Sequence, residues 1–438
     1  MYIESLKIRD LRCFESAAVS LRCPGEDKPG KSNGLNAPNV NLLLGNNGAG
    51  KTTLLRAIAL SALAPIMARS AGYVPRNMVR RKAKSAQIDA VMLLHDQDLD
   101  ETIEAKTSEH HAHFSVRIIK EGDHEFVEDV VHKGPSHKKM YDDRSPAFLV
   151  VGYGATRRVE DSSNYRPNDQ RRSRTLKYQR VAGLFESHIA LTPLDTWLPD
   201  YESTNKGRYT QVVHLLDRLL PEGSSFTGER ESGGLGEYLF NINGVASPFS
   251  ALSDGYRAYI GWVADLLYHV CFGSPAGAKL VENRGVVLVD EIDLHLHPEW
   301  QRTVVASLAE ALPNLQFIFS THSPIVAGSL ESRNIFVMEP APAGASTVDQ
   351  YSERIYGLDA QQVLLSPYFG LKTTRAPQFM DELSHLSRQL SPGRSDIALS
   401  IMRKLAGVDD PVESKPTLAK ATRGPKSSGL KKAGLKKK

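Results

Sequence analysis

One stretch constrains this chain more than any other: Val40-Asn41-Leu42-Leu43-Leu44-Gly45-Asn46-Asn47-Gly48-Ala49-Gly50-Lys51-Thr52-Thr53. Its apolar run predicts a buried strand, its glycines a tight turn, and Leu54 to Leu60 a helix packed back on that strand. Gly45 and Gly50 enclose four residues and precede Lys51-Thr52, the complete phosphate-binding pattern in the strand–turn–helix setting that it needs. Glycine lets the backbone N–H groups from Asn46 to Ala49 turn inward around an anion. The helix N-terminus, at Lys51, Thr52 and Thr53, adds partial positive charge at the same point. Lys51 is placed to reach β- and γ-phosphates, and the Thr52 hydroxyl to ligate Mg²⁺.

At 438 residues, 41% of them hydrophobic, the chain is too long for one small core, and two or three lobes are expected. No run is apolar over the length that spans a bilayer, so no membrane association is expected. The opening Met1 to Ile8 alternates like a strand and lacks the apolar centre of a signal peptide. Cys13, Cys23 and Cys271 show neither metal spacing nor a disulfide framework, which fits a reducing cytoplasm. The net charge of +4 conceals an asymmetry: residues 415–438 carry eight Lys, one Arg and no acid, +9, which leaves −5 on the rest.

Residues 1–22 predict two strands joined by a tight turn near Arg12-Cys13-Phe14, and 23–38 a loop. Strands dominate from 86 to 152. Asp96, Asp98 and Asp100 alternate there, but Glu101 and Thr107 stand where a calcium loop needs Gly and Glu. His110, His111 and His113 predict a solvated strand edge rather than a metal site, because no carboxylate or Cys spacing completes a ligand set. Residues 153–180 predict a polar loop rich in arginine: Arg157, Arg158, Arg166, Arg171, Arg172 and Arg174, with Lys177 and Arg180 at its end. Tyr209 to Leu220 predicts a helix stopped by Pro221, and 222–236 a mobile stretch of Gly, Glu and Ser. The tail beyond 411 reads as basic and disordered.

Gly285 to Val289 predicts a second buried strand, ending in Asp290 and Glu291. Downstream of a phosphate loop this is the Walker B arrangement, with Asp290 on Mg²⁺ and Glu291 as general base toward the attacking water. Ser253 and Gly255 precede a helix expected over Ala258–Phe272, a second place for an anion. His322 follows the strand Gln316–Ser320, within reach of a γ-phosphate. With Lys51 and Glu291 it completes the candidate catalytic set.

The order GNNGAGKTT, LSDGYR, VVLVDEIDLHLHPEWQ and FIFSTHSP resembles the ABC-type ATPases of the RecF, SMC and overcoming-lysogenization-defect kind. Tyr153-Gly154-Ala155-Thr156-Arg157, Thr196-Trp197-Leu198 and Tyr356-Gly357-Leu358-Asp359 resemble the compact bacterial ATPases grouped as virulence-associated, and those of Septu-type and retron-linked anti-phage systems. The resemblance covers about residues 1–410. It implies an α/β fold: an ABC-type P-loop head over 1–350, with a mixed sheet, flanking helices and an inserted β/helical region at about 64–250. A helical lobe over 351–410 and the tail 411–438 complete it. It also implies ATP and Mg²⁺ as cofactors and a homodimer, open to higher assembly, closed head to tail over two nucleotides. Ser253 and Gly255 would face the partner's γ-phosphate, and His322 would act as the switch. From its place beside the first strands, and not from the resemblance, Arg12 is assigned to the adenine side. The family's Q-loop glutamine is missing, with Gly154 and Arg157 in its place. Asp293-Leu294-His295-Leu296-His297 occupies the D-loop position and predicts a dimer contact. No Asp-x-Asp pair follows His322, so no nuclease is expected in the chain itself.

Two functions of different class follow. One is a cytoplasmic ATPase switch that governs a partner effector, such as an HNH nuclease, in anti-phage defence. The other is a DNA-binding genome-maintenance ATPase that neutralises phosphates through residues 157–180 and the lysine tail. A transporter's nucleotide-binding subunit fits less well, given the long insertion between Lys51 and Ser253.

Overall fold

The structure is a computed structural model. It describes residues 1–25, 37–69, 75–99, 110–133, 138–143, 145–160, 165, 175–231, 236–275, 277–340, 344–390 and 395–406. The expected basic tail lies outside these, as do most of the 23–38 loop, Asp100, Glu101, Thr107, Arg166, Arg171, Arg172 and Arg174.

The phosphate loop belongs to a six-stranded sheet of order β14-β13-β3-β12-β11-β7. Here β3 is Val40–Gly45, β7 Val150–Tyr153, β11 Gly285–Val289, β12 Leu315–Thr321, β13 Ile335–Pro340 and β14 Ser346–Asp349. Five of these strands run parallel, and β14 pairs antiparallel with β13. β3, β11 and β12 are near-continuous apolar runs, as strands covered on both faces must be. A second sheet, order β2-β1-β4-β5-β6, is antiparallel throughout. It comprises β1 (Tyr2–Leu11), β2 (Phe14–Ser20), β4 (Ser85–Leu94), β5 (His110–Glu121) and β6 (His124–Lys133). Strict alternation of buried and half-buried residues along β4 marks a sheet with one solvated face.

Between the sheets lies α1, Lys51–Arg69, which packs against strands of both. Its residues from Leu54 to Met67 are almost all buried, so it is apolar all round rather than amphipathic. The opposite face of the parallel sheet is covered by the helices Lys206–Leu219, Asp254–Phe272 and Pro298–Ala311. Buried amides bind the layers together. Gln316 accepts from Ile3 N at 2.8 Å and donates to Ile3 O and Arg22 O, while Asn334 donates to Ala37 O and Val40 O.

Several expectations are corrected. Residues 224–230, expected to be mobile, form strand β8 of a three-stranded sheet with β9 (Tyr238–Ile242) and β10 (Val245–Pro248). Phe226, Tyr238 and Phe240 fix it from the buried side. The histidine strand β5 lies inside its sheet, not at an edge; His111 and His113 are on the solvated face, and His111 Nδ1 meets Glu4 at 2.7 Å. The expected helix at Ala258 begins at Asp254. Lys177 and Arg180 are buried in and beside the short helix Leu176–Gln179, not displayed on a loop.

The chain divides into two compact units, 1–372 and 373–438. Residues 351–372 therefore belong to the first unit, not to a lobe that starts at 351. Val363 joins its core, and Tyr368 Oη donates to Tyr351 O and Glu353 O. Within the second unit the helices Pro377–Arg388 and Ser395–Ala406 are linked by Lys404–Glu382. Among the described residues no helix is long and apolar enough to cross a membrane.

Candidate functional site: a nucleotide-binding loop and its acids

Parallel register brings the predicted residues together. Val289 pairs with Phe319 and Thr321 with Leu44, so the ends of β11, β12 and β3 lie side by side. Asp290 follows β11, His322 follows β12, and the glycine loop follows β3.

The loop has the backbone its glycines predict. Gly48 and Gly50 hold φ at +82° and +107°. A Cβ on Gly48 would meet open space, whereas one on Gly50 would stand 2.5 Å from Cys13 Sγ and 2.6 Å from Phe14 Cζ. The turn between β1 and β2 is therefore the floor of the loop. That floor is pinned by Arg12 N to Met78 O, Arg80 Nη1 to Cys13 O and Ser346 N to Cys13 O. Arg12, the candidate adenine contact, sits in this turn at φ +49°. Asn46, Asn47 and Gly48 are exposed at the mouth, Ala49 is buried, and Thr53 is buried in the first turn of α1.

Lys51 Nζ donates to Gly45 O at 2.8 Å and Asn46 O at 3.3 Å, and lies 2.6 Å from His322 Nε2. Burial lowers the Lys51 pKa, against the raising field of Asp290, Glu291 and Asp293. Burial, then the Lys51 charge, lowers that of His322. A neutral imidazole accepting from an ammonium satisfies both. Thr52 Oγ1 donates to Asp290 Oδ2 at 2.6 Å, and Ser320 Oγ donates to Asp290 Oδ1 at 2.5 Å.

Glu291 adopts φ +51°, a region that non-glycine residues enter at a cost. Two bonds hold it there: Glu291 N donates to Ser320 Oγ at 2.8 Å, and Arg157 Nη2 donates to Glu291 O at 2.6 Å. Arg157 also lies over the Trp262 ring, 5.6 Å from its centre. Burial lowers its pKa to about 10, against the opposing field of Asp293, Asp290 and Glu291. From the sequence, Arg157 belongs to the arginine-rich loop and to the Tyr153–Arg157 segment that resembles the family, and its bond to Glu291 O is not foreseen. Ser320, which touches both acids, went unremarked, although its place one residue after Phe319 in the FIFSTH string puts it beside Asp290.

Ser253 and Gly255 lie at the start of the Asp254–Phe272 helix. Ser253 is exposed and its side chain makes no capping bond. A Cβ on Gly255 would stand 3.4 Å from His295 O, so this helix start packs on the Asp293–His297 segment. Asp293 accepts from Thr321 Oγ1; His295 and His297 are exposed.

The residues fit a Mg-nucleotide. Gly48 faces open space at the loop's mouth, and a hydroxyl and a carboxylate oxygen, Thr52 Oγ1 and Asp290 Oδ2, lie 2.6 Å apart at the same strand ends. Among the described residues no group of three His, Cys, Asp or Glu side chains could hold a metal. Mg²⁺ takes one or two protein oxygens together with phosphate and water, and does not need such a cage.

Residues 128–327 match a family described as an AAA domain, putative AbiEii toxin of a type IV toxin–antitoxin system, and residues 5–128 match a second AAA-domain family. The Septu protein PtuA of Bacillus mycoides is 26% identical over 386 residues, 85% of this chain and 45% of that protein. The retron Vc95 probable ATPase of Vibrio cholerae is 41% identical over 188 residues, 43% of this chain and 30% of that protein. The retron Ec83 probable ATPase of Escherichia coli is 32% identical over 157 residues, 36% and 28%. The chain thus spans less than half the length of these curated relatives. Among solved structures, an Smc head bound to the C-winged helix domain of ScpA covers 80% of this chain at 15% identity, with a TM-score of 0.47. The chain carries AAA-family ATPase domains and is homologous to the Septu PtuA and retron ATPases.

Proposed function

We propose that this chain binds ATP with Mg²⁺ and hydrolyses it, and that two copies close head to tail on two nucleotides as a switch. The observation that carries the reading is the meeting of Lys51, Thr52, Asp290, Glu291 and His322 at one end of the parallel sheet. Bound Mg²⁺ supplies charge neutralisation on the phosphates. Lys51 offers its ammonium to the β- and γ-phosphates, and the Gly45–Thr53 backbone orients them. Thr52 and Asp290 hold the cation. Glu291 accepts the proton of the attacking water, and Arg157 and Ser320 fix its backbone while it does so. His322 accepts from Lys51 and is placed to report the charge beyond it. The exposed Ser253 hydroxyl, Gly255 and the Asp293–His297 segment form the face offered to the second copy. Homology to Septu and retron ATPases supports a role in anti-phage defence; the effector we assign to the switch is an HNH nuclease.

The test is Glu291→Gln with and without ATP. A trapped dimer in light scattering is expected, and an unchanged monomer mass would overturn the sandwich. Lys51→Ala should abolish turnover; ATPase activity retained in that variant refutes the site. Co-expression with an HNH nuclease of a Septu-type system, followed by co-purification, tests the partner.

A DNA-engaging reading is less well supported by the described residues of 157–180. Lys177 and Arg180 are buried, Arg157 is bonded to Glu291 O, and Arg158 pairs with Glu160 at 2.9 Å. A salt-dependent DNA shift that requires ATP and survives deletion of 415–438 would favour it.

A further inference from the structure

Two turns with separate roles in the nucleotide site are tied together by side chains. One is Asp293–His297, which lies against Gly255 on the face proposed for the second copy. The other is Thr321-His322-Ser323, which leads from β12 into the helix Pro324–Gly328 and carries the imidazole that meets Lys51. Thr321 Oγ1 donates to Asp293 and accepts from Ser323 N at 2.9 Å. Ser323 Oγ donates to Gln301 Oε1 at 2.7 Å, and Gln301 Nε2 donates to Leu296 O at 3.0 Å. His322 thus stands between two residues, each of which is bonded toward the other turn.

Gln301, in the first turn of the Pro298–Ala311 helix, is the hinge pin of this arrangement. Leu296 O can only accept, so the amide nitrogen faces it and the amide oxygen is left for the Ser323 hydroxyl. Neither helix start depends on that amide. Gln301 N donates to His297 O within its own helix, and Ser323 Oγ caps the Pro324–Gly328 helix by accepting from Ile325 N and Val326 N. The bond from Ser323 to Gln301 is additional to both. Thr321 and Ser323 are buried, so these bonds are made away from bulk water, where losing a partner is costly. The neighbouring Trp300 meets Tyr256 edge-on, 4.5 Å between ring centres, and so rests on the first turn of the helix that follows Ser253. One helix start therefore touches both the face for the second copy and the turn that holds His322.

We propose that Gln301 is a positioning residue that couples the second copy's face to His322, so that dimer closure and a γ-phosphate at Lys51 favour each other. The inference rests on the ATP-closed dimer proposed above. A shift of Leu296 as the second copy docks pulls on Ser323 through one amide, and Ser323 carries the imidazole with it. The coupling is reciprocal: a phosphate that fixes His322 also fixes the face.

The experiment uses the full chain carrying Glu291→Gln. Light scattering over a range of protein concentrations gives the dimer affinity with and without ATP, and their ratio is the ATP-linked gain. A fluorescent ATP analogue gives the affinity of the dilute monomer. Gln301→Met keeps the length of the side chain and removes both bonds. It should leave the monomer's ATP affinity unchanged and cut the gain about tenfold. Gln301→Glu keeps the acceptor for Ser323 but not the donor to Leu296 O, and should show the same loss. His322→Asn should also cut the gain, and Gln301→Met added to it should lose no more than the larger single loss, because both act on one path. A full gain in Gln301→Met overturns the relay, whatever its melting temperature. So does a full gain in Gln301→Glu, or losses that multiply in the double variant, which would place Gln301's effect at the face itself. No gain with Gln301 intact overturns the ATP-closed dimer, and the relay with it.

Discussion

Glu291 holds a left-handed backbone, φ +51°, at the residue proposed to take the water's proton. That conformation costs about 1–2 kcal/mol in an L-residue, and the bonds from Arg157 and to Ser320 maintain it. Glu291→Gly should therefore leave folding stability unchanged or raise it by up to about 1 kcal/mol while abolishing turnover. Urea melts set against ATPase assays check this, and a clearly destabilised glycine variant would show that the backbone is unstrained. The Lys51–His322 pair makes a second prediction, in pH. Burial and the Lys51 charge place the folded pKa of His322 below its ordinary 6.5. Between that folded value and 6.5 the unfolded chain binds more protons, so stability rises with pH across the window and is lost as pH falls through it. His95, lowered chiefly by burial, acts in the same sense. The contribution of His322 is therefore the difference between wild type and His322→Asn: the nucleotide-free wild type should show the steeper fall in melting temperature below about pH 6.5. Parallel slopes would mean that the imidazole is not coupled to Lys51.

Strand β12 joins three parts of the molecule. Gln316 near its start is fully buried and bonds to Ile3 N and Ile3 O of the other sheet and to Arg22 O just beyond strand β2; Ser320 near its end bonds to Asp290 and Glu291. Gln316→Leu would orphan Ile3 N and leave Arg22 O and Ile3 O to Asn41 Nδ2 and Cys23 Sγ alone, and should cost about 1–3 kcal/mol in a denaturant melt. Asp290 and Glu291 are held separately, so ATP binding well below the melting temperature should survive. Such buried amides explain what an apolar pattern alone conceals. β3, β11 and β12 are legible as elements because Leu-Leu-Leu, Val-Val-Leu-Val and Phe-Ile-Phe leave only a doubly covered strand. β8 is not. Ser224 to Arg230 contains one large apolar residue, Phe226, and its partners Tyr238 and Phe240 lie twelve and fourteen residues further along. Its strand is set by tertiary stacking, not by a period in the sequence. The helix at Asp254 starts earlier than its apolar pattern because its first turn, Asp254 to Arg257, is exposed or half-buried and carries no aliphatic side chain.

Across the whole molecule, the candidate site was legible wherever its atoms come from contiguous strings, and illegible where they meet from afar. Arg157 and Glu291 are 134 residues apart, and no local spacing links them. The same holds for a buried path that leaves the site through Tyr153. Asp290 N donates to Tyr153 O at 2.8 Å, Tyr153 Oη donates to Asp265 Oδ2 at 2.8 Å, and His269 Nε2 lies 3.4 Å from the same oxygen at the wall of a cavity of about 880 Å³. Burial opposes ionisation of Asp265, but His269, the Thr192 N–H and the Tyr153 hydroxyl outweigh it and hold the carboxyl below its usual range. Asp265→Asn places an amide N–H₂ where acceptors are needed, and should cost about 1–3 kcal/mol of stability. If Asp265 also positions the Walker B strand through Tyr153, the loss extends to chemistry: kcat should fall severalfold at a temperature where the variant is fully folded, with the affinity for ATP unchanged. Tyr153→Phe removes one hydroxyl and leaves the β7 backbone in place. It should reproduce the kcat loss with a smaller loss of stability. A lowered melting temperature with wild-type kcat in both variants would make Asp265 a structural residue only, and would separate the cavity from the nucleotide site.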